Sequence, residues 1–492
     1  MNSKLRHIVL SALAGSMLVG LSLPAMADST VDLVQALVSK GVLTEEEGAL
    51  LSKGRSTEVE VQKKKESKSW TSRVNLRGYV QVRNTTMLGG DDGVNLWSDR
   101  SVGDDQSLGD ADKNFLIRRA RLIIFGDFGD HLSYYIQPDF ASSVGGTTNS
   151  NASGAGNFAQ LRDAYGDIYI DKTRVHRVRV GQSKVPYGFE NLQSSSNRLA
   201  LDRNDALNSA VRDERDLGAF YYYTPTDIQA LFEDINKQGL KHSGNYGMFA
   251  LGIYNGQGAN ARDQNDNYHV VSRFTYPWKT ESGQIYEAGI QAYTGDYIST
   301  VGQYSRRNPV TGALATATPT LGTGAVLSNR NGVKDERVGI SFIMYPQPFG
   351  IQAEWNWGST PGLDTTASAA GVIEKKSLNG GYVQAMYKID NFQFLSTNGT
   401  LIPFVKWQYF DGYNKAETNS PENHVNDWEL GVEWQLAPEV EIAMVYHRMN
   451  RTNLVTGNRV ASAANTASNL QPREDYENFK AEALRVQLQY NF

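Results

Sequence analysis

The sequence predicts an all-β protein, an antiparallel transmembrane β-barrel of about 16 strands with a short helical N-terminal extension. In the last ten residues, Ala483 to Phe492, apolar side chains alternate with polar ones, as they do on the two faces of a strand. The same alternation returns many times from Arg73 onward. Beyond the first 27 residues no segment approaches the roughly 20 consecutive apolar residues of a spanning helix, and the mean hydropathy is −0.44. A membrane protein of such low mean hydropathy crosses the bilayer with β-strands, because one face of each strand points to water. A soluble amphipathic edge strand would show the same final ten residues in isolation.

The first 27 residues have the organisation of a secretory signal peptide. Lys4 and Arg6 precede a short apolar run from Ile8 to Leu23, and Ala25-Met26-Ala27 forms a small-x-small cleavage site. The apolar run is short for a membrane anchor. We therefore expect residues 1–27 to be removed and the mature chain to lie outside the cytoplasm, in the bacterial outer membrane.

Residues 28–69 differ from the rest of the chain and predict a helical, charged periplasmic extension. Apolar residues recur at helical spacing between Val31 and Val38. Thr44-Glu45-Glu46-Glu47 has the form of a capping box for a second helix, and the stretch from Glu58 to Lys68 is highly charged. Two interpretations remain open: an extension without chemistry, or an assembly element between subunits.

Residues 70–492 predict the barrel itself. The predicted strands lie near residues 73–87, 115–127, 131–140, 159–170, 175–183, 216–224, 245–255, 267–276, 284–295, 335–345, 349–358, 379–388, 400–411, 426–436, 440–450 and 480–492. Short turns such as 171–173 and 437–439 alternate with long polar loops such as 91–113 and 297–334, which is typical of periplasmic and extracellular rims. We expect Phe492 to end the closing strand and to be recognised by the barrel-assembly machinery.

Composition disfavours several other classes of function. The chain has no cysteine, which removes thiol catalysis and thiolate metal sites, and its net charge of −5 argues against a nucleic-acid binder. None of the seven histidines has zinc-binding spacing. We therefore expect no enzyme activity, metal or cofactor, although an outer-membrane enzyme and an adhesin or structural barrel remain as alternatives.

Strand parity assigns many basic side chains to the lumen. Arg119 and Arg121 alternate with Ala120 and Leu122, and the opposite placement would put both arginines in lipid, at ~2–4 kcal/mol each near the midplane. The candidate pore-lining residues are Arg77, Arg83, Arg119, Arg121, Arg177, Arg179, Lys184, Arg198, Arg203 and Arg212. Acidic residues are assigned inward as well: Asp163, Asp167, Glu287, Glu354, Glu429, Glu433 and Glu441. The arginines either form a series of weak anion sites or neutralise the facing acids and stiffen the barrel.

Residues 183–216 form a candidate constriction loop. Pro186 and Gly188 interrupt the strand pattern, and apolar residues at Leu199, Leu201 and Leu207 predict packing inside the barrel. An outward loop that makes subunit contacts is the alternative. The segment carries five bases and six acids, so its charge is nearly balanced.

Four runs resemble the phosphate-selective porin O and P family. They are Arg-Arg-Ala-Arg-Leu from Arg118, Leu-Arg-Asp-Ala-Tyr from Leu161, Val-Arg-Val-Gly-Gln-Ser-Lys-Val-Pro-Tyr-Gly-Phe-Glu from Val178, and Arg-Asp-Leu-Gly from Arg215. The resemblance covers roughly residues 73–492 and implies a homotrimeric outer-membrane channel, surrounded by lipid, with an inward-folded loop. It also implies passive diffusion of small anions, including phosphate or polyphosphate. The balanced charge of the candidate constriction loop departs from a zone made for polyanions, so a general non-selective porin is the alternative.

Overall fold

A computed structural model describes residues 73–91, 94, 113–143, 159–302, 304–307, 314–321, 331–367, 370–394, 397–454 and 476–492. The predicted signal peptide and N-terminal extension lie outside these residues, as do parts of the predicted long loops.

Sixteen long strands within the described residues form a closed antiparallel barrel. They are β1 Asn75–Gly90, β2 Lys113–Asp127, β3 Leu132–Asp139, β4 Gln160–Tyr169, β5 His176–Lys184, β6 Arg215–Tyr223, β7 Phe249–Tyr254, β8 His269–Lys279, β9 Ile285–Tyr297, β10 Val333–Met344, β11 Phe349–Asp364, β12 Val372–Tyr387, β13 Thr397–Tyr413, β14 Glu422–Ala437, β15 Val440–Leu454 and β16 Tyr476–Asn491. Each strand pairs with the next in the chain, and β16 pairs with β1. Closure leaves no unpaired edge, as a strand protein in lipid requires.

The two faces of the strands differ as the alternation predicts. On β14, Trp428 and Leu430 are 53% and 64% exposed, whereas Glu429 and Glu433 are 4% and 2% exposed. Large apolar residues are exposed on other strands as well, for example Leu251 on β7 at 46% and Phe342 on β10 at 41%. The apolar face therefore points outward to lipid, and the polar face points into the barrel.

The first and last strands of the barrel meet at one rim. The backbone N–H of Gly78 donates to the carbonyl of Phe492 at 2.7 Å, and the N–H of Phe492 donates to the carbonyl of Gly78 at 3.0 Å. The same rim carries short connections, such as the two residues between β14 and β15. The final aromatic residue thus takes part in closing the ring.

Minor elements complete the described structure. They are the strands Tyr304–Arg307, Leu314–Ala317, Thr320–Leu321 and Ile389–Phe394, the 3-10 turns Phe140–Ser143 and Arg212–Glu214, and the helices α1 Phe189–Leu192, α2 Asp205–Asn208 and α3 Thr226–Lys237. None of the described helices is long and apolar enough to cross a bilayer.

Candidate functional site

The loop between β5 and β6, residues 185–214 and hereafter the inner loop, lies inside the barrel. The N–H groups of Phe189 and Glu190 at the start of α1 donate to the Glu354 carboxylate on β11 at 2.6 and 2.7 Å. The Glu190 carboxylate lies 2.5 Å from the Lys406 ammonium on β13. Because β11 and β13 are six and eight strands further round the ring from β5, the inner loop crosses the interior.

Apolar contacts hold the inner loop against the opposite wall. Leu199 and Leu201 pack in a buried cluster with Ile402, Phe404 and Val445 from the inner faces of β13 and β15. The apolar residues of the loop thus cover an apolar patch of the lumen, which explains their presence in a segment surrounded by polar side chains. Burial of this kind fixes the loop's position.

Arginines from three strands surround Asp202 of the inner loop. Its carboxylate lies 2.7 Å from the guanidinium of Arg485, 3.1 Å from that of Arg83 and 3.8 Å from that of Arg118. Burial opposes ionisation of this carboxyl, but Arg83 and Arg485 hold the pKa of Asp202 well below its usual range. Asp202 is therefore a carboxylate at neutral pH.

A bulge brings Arg118 into this cluster. In the pairing of β1 with β2, Gln81 faces Arg119 and Val82 faces Ile117, so Arg118 is the extra residue. Strict alternation with the inward Arg119 would point Arg118 outward, and the bulge reverses that direction. The consecutive arginines 118 and 119 were the signal available in the sequence.

Two predicted pore residues beside this cluster have unused donors. Arg119 and Arg198 are 4% and 7% exposed, and the charge of Arg198 repels that of Arg119. The Arg119 Nη1 donates to Gln81 at 2.8 Å, whereas the Arg198 Nη2 makes a 3.5 Å contact with the Leu201 carbonyl. The Nε of Arg119 and the Nε and Nη1 of Arg198 have no hydrogen-bond partner among the described residues. Neither guanidinium lies within 4 Å of a carboxylate in that part of the chain, although Arg119 attracts Asp202 and Arg198 attracts Glu190 over a longer distance.

Four other predicted residues interact with carboxylates or carbonyls of the strands and of the interior segments. Arg121 donates to Asp139 at 2.7 Å, and Arg179 makes two hydrogen bonds to Asp167, at 2.8 and 2.9 Å. Arg83 pairs with Asp202, as described above. Arg177 donates to the Asn245 carbonyl at 2.8 Å. These side chains mainly join strands and loop segments to one another.

The four remaining predicted residues, which are Lys184, Arg203, Arg77 and Arg212, differ in accessibility. The Lys184 ammonium donates to the carbonyls of residues 192 and 193 at 2.8 and 2.5 Å. Arg203 lies 2.5 Å from the Glu214 carboxylate, so both of these bases hold the loop's own backbone and side chains. Arg77 and Arg212 are exposed, and within the described residues neither pairs with a carboxylate. Arg77 lies over the ring of Phe125, 5.2 Å from its centroid.

A second segment in the interior was not predicted. The connection between β6 and β7 contains α3, and residues 240–243 after it are buried. The sequence pattern across residues 224–245 indicated no clear strand. The apolar side chains of α3 at Ile228, Phe232 and Ile235 have helical spacing, which was the available signal.

Comparisons with known proteins give one family and a group of similar structures. The family model for phosphate-selective porin O and P matches residues 93–492. The outer-membrane channel DcaP of Acinetobacter baumannii is similar at 14% identity and a TM-score of 0.45, over 85% of this chain and 97% of that one. OmpF of Salmonella typhi, in complex with daunomycin, is similar at 12% identity and a TM-score of 0.45, over 85% and 97% of the two chains. Comparison with curated proteins gives no match. The family match covers most of the chain, which therefore belongs to the phosphate-selective porin O and P family and is a porin of the bacterial outer membrane, a channel rather than an enzyme.

Proposed function

We propose that this porin passes small anions by passive diffusion, and that phosphate-like oxyanions bind transiently beside Arg119 and Arg198. The observation that carries the proposal is the set of buried guanidinium donors on these two residues without partners in the described chain. Buried donors normally find a partner, and a buried charge left unpaired is costly. A bound oxyanion supplies the acceptor atoms, and its charge adds to the longer-range attraction of Asp202 and Glu190.

The surrounding charges favour an anion without fixing it permanently. Four arginines, at positions 83, 118, 119 and 485, act electrostatically on the single carboxylate of Asp202. Arginine groups suit the oxygens of phosphate because two N–H groups reach two oxygens at once. Asp202 neutralises part of this charge, so a solute is held weakly enough to leave again, as conduction requires.

Two features support a general porin as the second candidate. Most of the predicted pore arginines are paired, and the segment 183–216 carries five bases against six acids. In this case the arginines stiffen the interior and select only weakly. The two candidates differ in the role of Arg119 and Arg198, the two buried members without a carboxylate within 4 Å in the described chain.

The reversal potential of the purified porin in a planar bilayer tests the proposal. Across a potassium chloride gradient we expect anion preference in the wild type. Because each removed charge is worth about 1 kcal/mol even in a water-like medium, the double variant Arg119→Gln and Arg198→Gln should lower the anion-to-cation permeability ratio roughly fivefold or more. Lys172→Gln, in the exposed turn between β4 and β5, is the matched control. An unchanged ratio in the double variant would favour the general porin.

We also propose a homotrimer, which the family resemblance supports. The lipid-facing side chains of the barrel are compatible with both lipid and subunit contacts. Native mass spectrometry from detergent should show three copies, and a monomer under all detergent conditions would contradict this assembly.

A further inference from the structure

The segment that follows α3, residues 238–247 and hereafter the strap, reaches the opposite wall of the barrel. The Lys241 ammonium lies 2.5 Å from the Glu433 carboxylate on β14. The side chains of the pair are 4% and 3% exposed. The connection that contains the strap leaves β6, and β14 is eight strands further round the ring of sixteen. This contact therefore lies across the lumen from β6.

The strap also contacts the inner loop. The Gln193 Nε2 donates to the carbonyl of Lys241 at 2.7 Å, and the Asn197 Nδ2 donates to the carbonyl of His242 at 2.8 Å. Two segments from different connections therefore cross the interior in contact with each other.

The strap and the helix before it are fixed to several parts of the wall. Arg177 and Thr224 bond to Asn245, through its carbonyl and its side-chain amide oxygen, at 2.8 and 3.0 Å. The apolar face of α3 packs in a buried cluster with Ile285, Ile343 and Tyr345 of the wall. The start of the strap is therefore held by α3 and by the pair Lys241–Glu433, and its C-terminal part is held at Asn245.

The strap is long enough to cross the lumen. Eight residues lead from Lys241 to Phe249 at the start of β7, a reach of at most ~29 Å. Strand spacing and tilt give a barrel of sixteen strands a backbone diameter of roughly 30 Å. Because the side chains of Lys241 and Glu433 cover part of this distance, eight residues are enough to cross the lumen from the pair to β7.

We propose that the strap is a second filter of the pore, which sets the largest solute that can cross. It lies across the lumen, so it divides the cross-section and leaves passage only beside it. Its one lysine is paired with Glu433, which makes the strap a filter of size rather than of charge. The inference rests on the proposed diffusion through the interior, but it concerns neutral solutes as much as anions.

The connection between β6 and β7 can be deleted without separating the two strands. The N–H of Met248 donates to the carbonyl of Tyr223 at 2.8 Å, so the two ends of the connection between β6 and β7 lie next to each other. Replacing residues 224–247 by Asn-Gly should close the two strands as a tight hairpin and remove both α3 and the strap. Glu233→Gln, which breaks an exposed pair on α3, is the matched control.

Single-channel conductance and exclusion of neutral polyethylene glycols measure the effect. We expect the deletion to raise conductance at least twofold and to admit larger polymers, while the control behaves as the wild type. Unchanged conductance and an unchanged size limit in the deletion would overturn the inference. If the deletion admits larger neutral polymers but the wild type shows no anion preference, the filter stands and the proposed anion function fails.

A second variant covers the case in which the deletion does not fold. The natural chain has no cysteine, so Lys241→Cys with Glu433→Cys places the only two thiols at the contact with β14. A short bis-maleimide should join them in the folded barrel, and the joined protein should retain wild-type conductance and size limit. Failure to join them, or loss of conductance on joining, would overturn the inference.

Discussion

Replacing Asp202 by Asn gives the sharpest test of the arginine cluster. The change removes the carboxylate that lies within 4 Å of Arg83, Arg118 and Arg485, while it keeps the size of the side chain. Removing one partner of a buried ion pair typically costs ~3–5 kcal/mol, because the remaining charge stays buried without compensation. We expect a loss of this size in the free energy of unfolding.

A bound oxyanion should partly replace the missing carboxylate. A ligand that binds only the folded state stabilises it by about 2.7 kcal/mol at 100 times its dissociation constant. Phosphate should therefore restore more stability to Asp202→Asn than to the wild type, because the variant lacks the carboxylate that competes with the anion for these guanidinium groups.

Unfolding of the porin in detergent, with phosphate or chloride at equal ionic strength, measures both effects. Asp130→Asn, in the exposed turn between β2 and β3, is the matched control and should stay within about 0.5 kcal/mol of the wild type. The reasoning is refuted if Asp202→Asn is as stable as the wild type. It is also refuted if phosphate stabilises the two proteins equally.

Three further predictions concern the lipid face, the strap and the inner loop. Leu430→Arg should destabilise the barrel in lipid by ~2–4 kcal/mol if its position is near the midplane, and normal folding yield in vesicles would contradict the outward assignment. Burial lowers the pKa of His242 in the folded protein to about 4, although Glu287 attracts the proton. In the unfolded chain the same group has a pKa near 6.5 and is protonated first as the pH falls. The folded protein should therefore lose up to roughly 3 kcal/mol of stability between pH 6.5 and pH 4. Unfolding of His242→Asn should lack this slope, and an equal slope in both proteins would exclude the assignment. Gly188 has φ of 80°, so Gly188→Ala should cost ~1–2 kcal/mol and make single-channel currents noisier, whereas Gly89→Ala, where the added carbon meets nothing within 4 Å, should change neither.

The barrel was predictable because its strands follow one simple rule. Period-two alternation places lipid-facing and lumen-facing residues without knowledge of partners, and the predicted strands overlap all sixteen of the described barrel. The family motifs from Arg118 to Gly218 added the expectation of an inward loop. These signals are local in the sequence, so they could be read directly.

The arrangement inside the barrel could not be derived in the same way. A one-residue bulge at Arg118 reverses the direction of its side chain, and no periodicity reports such a bulge. The partners of the arginines are distant in the chain, as Arg83 and Asp202 are, so parity places an arginine in the lumen without showing whether it is paired. The strap was missed because its polar sequence looks like an ordinary turn, and its contact with Glu433 depends on the closed ring.

Block of chloride current by phosphate tests the central claim most directly. With the wild-type porin in a planar bilayer, added phosphate should reduce chloride conductance in a saturable way, since both anions use the site beside Arg119 and Arg198. The double variant Arg119→Gln and Arg198→Gln should need at least tenfold more phosphate for half block, which corresponds to about 1.4 kcal/mol of lost binding. Equal block in both proteins, or none in the wild type, would contradict this account.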